Sequence, residues 1–116
     1  MRKIILDTNF LLAPLQAKAD VYSMEGDLYT LESCVNELKR LSGEKTRRGS
    51  QAKAALEIVR GRVKVIKNPM NADRMMAEYA AKGYIIATND KKLITKLKKL
   101  GHSVIRLKQN KIITED

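Results

Sequence analysis

The chain reads as an α/β protein, a three-layer α/β/α arrangement around a mostly parallel five-stranded sheet. Three observations carry that reading. Short apolar runs such as Lys3–Leu6 and Tyr84–Ala87 recur along the chain, each long enough for a buried strand. Segments with apolar residues at helical spacing separate them, so each strand is followed by a helical crossover. Gly, Pro, Asn and Ser punctuate the junctions. Right-handed crossovers between parallel strands then place helices on both faces of the sheet.

Lys3–Leu6 is the first strand, followed by a short helix around Phe10–Leu15 and a second around Lys18–Glu25, closed by Gly26. Leu28–Leu31 gives a second strand, and Ser33 suits the N-cap of a helix over Cys34–Leu41. Ser42–Gly49 is polar, carries two Gly and reads as a loop. Gln51–Arg60 is helical in period and ends at Gly61; Val63–Ile66 is a third strand, broken by Asn68-Pro69. Asn71 caps a helix over Ala72–Lys82, with Gly83 as its C′ residue. Tyr84–Ala87 is the fourth strand. Lys91–Leu100 is amphipathic, with Leu93, Ile94, Leu97 and Leu100 on one face, and stops at Gly101. Ser103–Leu107 is the fifth strand, and Lys111–Thr114 adds a short edge strand. No repeat or linker interrupts the pattern, and 116 residues correspond to one domain.

Hydrophobic content of 44% is ordinary for a globular chain, but only 4% is aromatic, so Ile, Leu, Val, Ala and Met build the core. Lys and Arg outnumber Asp and Glu 23 to 13, a net charge of +10. Such a surface suits a polyanion, nucleic acid ahead of an anionic membrane; the bland alternative is solubilising charge. Cys34 is the one cysteine, which excludes an internal disulfide and suits a reducing cytosol. After the basic start Met1-Arg2-Lys3, only Ile4, Ile5 and Leu6 precede Asp7, too short for a signal peptide or a transmembrane helix. A cytoplasmic protein without a membrane partner is the expectation.

Two of the apolar runs end in acids: Asp7 in Leu6-Asp7-Thr8-Asn9, and Asp90 in Ala87-Thr88-Asn89-Asp90. Residues just past strand ends in a parallel sheet face the ligand crevice. Two carboxylates placed there repel unless a cation lies between them, so a divalent-metal site and a metal-dependent hydrolase come first. Either Asp alone is equally well an N-cap, since a helix pattern follows both. Glu37 falls at the border of the apolar face set by Cys34, Leu38 and Leu41, where it either looks into a crevice or pairs at i+3 with Arg40. Asp73 shares a stripe with Met76, Ala77 and Ala80; an unpaired buried carboxylate attracts a cation, whereas one in a first helical turn suits the dipole. His102, beside Gly101, reads as a turn residue, so no Ser/His/Asp or Cys/His set is apparent.

Taken in order, Asp7 in "LDTN", Glu37 in "VNELKRL", Asp73 in "NADRMMAEYA" and Asp90 in "IATNDKKL" resemble the PIN domains, a family of small metal-dependent ribonucleases, over Lys3 to about Leu107. The "TND" element before a basic amphipathic helix is most similar to archaeal members, including relatives of rRNA-processing nucleases and of VapC-type toxins. The resemblance implies an endoribonuclease with Asp7, Glu37 and Asp90 as the principal Mg²⁺ or Mn²⁺ ligands. Asp73 would complete the acidic cluster, with Asn9 and Thr88 in support. It also implies RNA as partner, an antitoxin or a ribosome-assembly factor as a further one, and a homodimer. Some members carry a second Asp directly after the third acid; Arg74 stands there, which leaves one metal or two open.

From Lys91 to Thr114 the chain carries eight basic residues and no acid, with Lys91 and Lys92 directly after Asp90. Lys45, Arg47 and Arg48 lie in the loop following the Glu37 helix. These five residues are the candidate contacts to an RNA backbone, which gives affinity without sequence choice. The competing reading is a non-catalytic RNA-binding module of a larger assembly. A receiver-type phosphoacceptor would need an Asp after the third strand, where Lys67 and Asn68 stand; a haloacid-dehalogenase-like phosphatase would need an Asp in place of Asn9.

Overall fold

A computed structural model describes residues 2–17, 19–67 and 71–116. The six strands are β1 (Lys3–Leu6), β2 (Asp27–Leu31), β3 (Lys64–Ile66), β4 (Ile85–Ala87), β5 (Val104–Lys108) and β6 (Lys111–Glu115). The helices are α1 (Thr8–Gln16), α2 (Glu32–Ser42), α3 (Arg47–Arg62), α4 (Ala72–Ala81) and α5 (Lys91–Lys99). The sheet order is β3-β2-β1-β4-β5-β6. The first five strands are parallel and β6 pairs antiparallel with β5, so the expected edge strand completes the mostly parallel sheet.

The chain moves outward from β1 to β2 and β3, then returns across β1 to β4 and moves the other way. With right-handed crossovers, that reversal puts α1, α2 and α3 on one face and α4 and α5 on the other. The packing agrees: α3 lies against α1 and α2, and α4 against α5. Covered on both faces, β1 is apolar throughout its inner residues, with Ile4, Ile5 and Leu6 fully buried. Ile86 and Ala87 of β4 and Val104 of β5 continue that layer. Phe10, Leu11 and Leu12 close it from α1.

Both helices on the second face end as their sequences dictate. Gly83 and Gly101 hold φ of 98° and 84°. In each case the next N–H reaches back into the last turn, Tyr84 N to Tyr79 O at 3.1 Å and His102 N to Leu97 O at 2.9 Å. The two-residue β5–β6 hairpin turns on Gln109 and Asn110, both at positive φ, the conformation that matches the twist of paired strands.

Three local expectations need correction. Between Ala19 and Glu25 only a single 3-10 turn, Val21–Ser23, forms in place of a helix; Lys18, where that helix was placed to begin, lies outside the described residues, as does the Asn68-Pro69 break. With Ala19 and Val21 as its buried anchors, the segment lacks the apolar stripe a helix needs to dock. Leu31, not Ser33, occupies the N-cap position of α2, because the buried end of β2 runs directly into the helix. The loop after α2 is shorter than expected: Thr46 caps α3 by accepting from Gly49 N at 3.1 Å, so Arg47 and Arg48 are helical. Among the described residues no helix is long and apolar enough to cross a membrane.

Gly49 lets the start of α3 fold back on α2, since a Cβ there would lie 2.0 Å from the Glu44 carbonyl oxygen. Gly61, in the same helix, would place a Cβ in open space. Replacement by Ala should therefore act in opposite directions. Gly61→Ala should stabilise the protein by about 0.4–1 kcal/mol, and Gly49→Ala should destabilise it by about 1–3 kcal/mol. Urea unfolding of the two variants checks this; equal shifts would show that the close approach to Glu44 does not constrain the helix start.

Candidate functional site

At the C-terminal ends of β1 and β4, where the strand order reverses, a cleft of about 260 Å³ opens. Parallel sheets bind ligands at such a reversal, because the crossovers diverge to opposite faces and leave a gap. Asp7, Glu37, Asp73 and Asp90 all line it, delivered by the end of β1, by α2, by α4 and by the start of α5. Asn9 and Thr88 line it as well, and among the described residues no Lys, Arg or His does.

Asp7 is both strand end and helix cap. Its backbone N–H continues the sheet to Ala87 O at 3.1 Å. Its Oδ1 accepts from Phe10 N at 3.0 Å in the first turn of α1, and its Oδ2 accepts from the buried hydroxyl of Thr88. The same Thr88 oxygen accepts from Asp90 N at 3.1 Å. Thr88 therefore ties the two acids together. Burial pushes the Asp7 carboxyl up from an ordinary 3.8 to about 6, and the Asp90 charge adds to this against the pull of the Thr88 and Phe10 hydrogen bonds.

Asp90 caps α5: Oδ1 accepts from Lys92 N at 2.9 Å and Leu93 N at 3.1 Å. No bond occupies Oδ2 among the described residues. The capping reading and the cleft reading of Asp7 and Asp90 thus hold together. A cap uses the oxygen facing the helix, while the carboxylate still borders the cleft.

Glu37 is exposed, and its Oε2 accepts from the Thr8 hydroxyl at 3.3 Å across the cleft from α1. Arg40 is not its partner among the described residues. Asp73 departs from the sequence expectation. Met76 and Ala80 of its stripe are buried, but Asp73 itself is exposed at the rim. It sits in the first turn of α4, its N–H held by Asn71 Oδ1 at 2.9 Å.

Ser33 and Cys34, outside the residues expected at the site, line it too, with Thr8, the hydroxyl beside Asp7. Ser33 stands at i−4 from Glu37, a spacing that puts both on one face of α2, and this was the available signal. Cys34 is free and buried, and burial pushes its thiol up, away from the thiolate form that thiol chemistry needs.

Four carboxylates, an anion taken out of water without a counter-charge, and the lack of a lining cation among the described residues suit a hard divalent ion. Among the described residues, however, no three acidic, His or Cys side chains converge closely enough to hold one as they stand. Mg²⁺ usually retains several waters and is bound by only one or two carboxylates, so its fit to this donor set does not need three to converge.

The five basic candidates lie outside the cleft lining. Lys45 and Arg47 border a separate depression between α2 and α3. Lys92 lies on the outer face of α5 with Lys96 and Lys99. Arg48 and Lys91 are exposed and border neither the cleft nor these depressions. Part of the excess charge is engaged elsewhere. Lys98 and Arg106 both pair with Glu115, and Lys3, Lys64 and Lys82 each lie over a ring of the Tyr84, Tyr29 and Tyr79 cluster.

A family model described as a PIN-like domain matches residues 4–110. No curated protein matches the chain.

The Asp7 carboxyl fixes a pH dependence. Its pKa is higher folded than its ordinary value, so the folded state binds the proton more tightly between about pH 4 and about pH 6. Stability from this group is full below that window, falls as pH rises through it and stays low above. The loss amounts to about 3 kcal/mol by about pH 7. In chelator-containing buffer, Asp7→Asn should match the parent near pH 4 and exceed it near pH 7. Urea unfolding at both values checks this, and parallel pH slopes would show that Asp7 titrates as an ordinary carboxylate.

Proposed function

The chain belongs to the PIN-like domain family, and on that premise we propose that it is a metal-dependent endoribonuclease acting at the four-carboxylate cleft. One observation carries the reading: four acids from four separate elements line a single cleft that no cationic side chain borders among the described residues. Charge so arranged opposes folding unless a cation is part of the working protein.

Asp7, Glu37 and Asp90 would hold Mg²⁺ or Mn²⁺, with Asp73 completing the cluster at the rim. Bound there, the ion supplies neutralising charge and Lewis acidity for hydrolysis of a phosphodiester. The protein's own groups set the geometry. Thr88 and Phe10 N–H orient Asp7, the first turn of α5 orients Asp90, and Thr8 orients Glu37, leaving Oε1 of Glu37 and Oδ2 of Asp90 for a ligand. Lys45, Arg47, Arg48, Lys91 and Lys92 would hold the RNA backbone outside the cleft.

Labelled single-stranded RNA should be cleaved with Mn²⁺ and left intact with chelator. Asp7→Asn and Asp90→Asn should abolish cleavage with the fold retained, because Asn can still cap each helix. Glu37→Gln should weaken Mn²⁺ binding in calorimetry, and Asp73→Asn should weaken it less. Cation-independent RNA binding without cleavage would replace this reading with the non-catalytic RNA-binding module.

Neutralising the five basic residues should weaken binding to all sequences alike. The slope of log affinity against log salt should fall by roughly 0.7 for each phosphate left without its cationic partner. An unchanged slope with all five replaced would make that charge solubilising only.

A further inference from the structure

Beside the acidic cleft lies a second depression of about 340 Å³, on the side of α1 away from α2, and Asn9 borders both. Its polar lining is Asn9, Gln16, Asn89, Gln109 and Asn110, five carboxamides from three separate segments. Ala13, Ala17 and Leu107 supply an apolar floor, and among the described residues no charged side chain lines it. The Asn89 oxygen accepts from Leu107 N at 2.8 Å, which holds the β4–α5 connection against β5. The carboxamides of Asn9, Gln16, Gln109 and Asn110 make no hydrogen bond among the described residues. Gln109 and Asn110 are presented by the two-residue hairpin turn, both exposed and both at positive φ.

A carboxamide offers one donor and one acceptor side by side, which complements the paired acceptor and donor on an adenine edge. On the edge that carries N7 in the purines, guanine is read best by Arg or Lys, the cytosine amino group by a carboxylate, and uracil offers a carbonyl acceptor without an adjoining donor. Among the described residues the lining has no charged side chain, and only adenine pairs an acceptor with a donor on that edge. A small apolar floor suits the flat face of a base. RNA whose bases are unstacked from a duplex exposes those edges.

We infer that this carboxamide-lined depression is a base-recognition subsite that selects adenine in single-stranded RNA, next to the phosphodiester held at the acidic cleft. The inference takes its ligand class, RNA, from the nuclease reading and adds sequence preference to it. The basic residues cannot supply that preference, since phosphate contacts are blind to sequence.

The test uses the full chain with chelator present, so that binding is read without cleavage. Hexamers of adenylate, cytidylate and uridylate are titrated while the side-chain amide signals of Gln16, Gln109 and Asn110 are followed by ¹H–¹⁵N NMR. Those signals should move with the adenylate hexamer, which should bind roughly tenfold more tightly than the other two. Gln16→Ala combined with Asn110→Gly, which keeps the positive φ of the turn, should level the three affinities and leave that for uridylate unchanged. Carboxamide signals that stay still, that respond equally to all three hexamers, or a preference that survives the double substitution would overturn the subsite. Failure of the nuclease reading is separable: an adenine preference without Mn²⁺-dependent cleavage keeps the subsite and removes the catalysis, and cleavage with silent carboxamides does the reverse.

Discussion

The pairing of β1 with β4 is the constraint on which the site depends. Consecutive elements of the chain build outward from β1 to β3, and only the return across β1 brings residues 84–90 beside residues 3–9. Once Leu6 faces Ala87 in register, Asp7 N bonds to Ala87 O, and the Thr88 hydroxyl reaches the Asp7 carboxylate. A parallel pair with no slack in register therefore sets the separation of two acids that lie far apart in sequence. The apolar character of Ile4, Ile5, Leu6 and Ile86 secures that register, since the pair is buried on both faces.

The same geometry gives single side chains two duties. Asp7 and Asp90 cap α1 and α5 while bordering the cleft, and Thr88 bridges one to the backbone of the other. Local stability and the candidate site are coupled here, because the N–H groups at each helix start need an acceptor whatever else the carboxylate does. An amide in place of either acid separates the two duties, as it keeps the cap and discards the charge.

Much of this was legible in the sequence, and the failures share a cause. Runs such as Lys3–Leu6, and helix ends marked by Gly83 and Gly101, are set by local chemistry, and the structure places them as read. The four acids could be collected in order, and the structure brings all four to one cleft. What could not be read was where an apolar stripe stops being covered. Asp73 shares a helix face with buried Met76 but is itself exposed in the first turn, and where that stripe stops being covered is a property of tertiary packing. The early start of α3 at Arg47 is similar: Gly49 reads as a loop signal until the Thr46 cap and the close approach to Glu44 explain it. The carboxamides drawn from α1, the β4–α5 connection and the hairpin turn have no sequence signature at all, since nothing in the chain forecasts their meeting.

A chain of net charge +10 whose cleft carries, among the described residues, only acidic charge would present a polyanion with attraction at a distance and repulsion at close range. On the proposed reading the basic surface would dominate beyond about a Debye length and draw a strand in, and within it the carboxylates would push the backbone away. This sign change acts as a gate without a moving part. On the proposed reading it sets an order of arrival, cation first and strand second. A compact divalent ion opens the gate where monovalent salt does not, because two charges delivered to one point offset the carboxylates while the surrounding lysines stay unscreened. The availability of that ion, more than the abundance of RNA, would then govern when the protein engages its substrate.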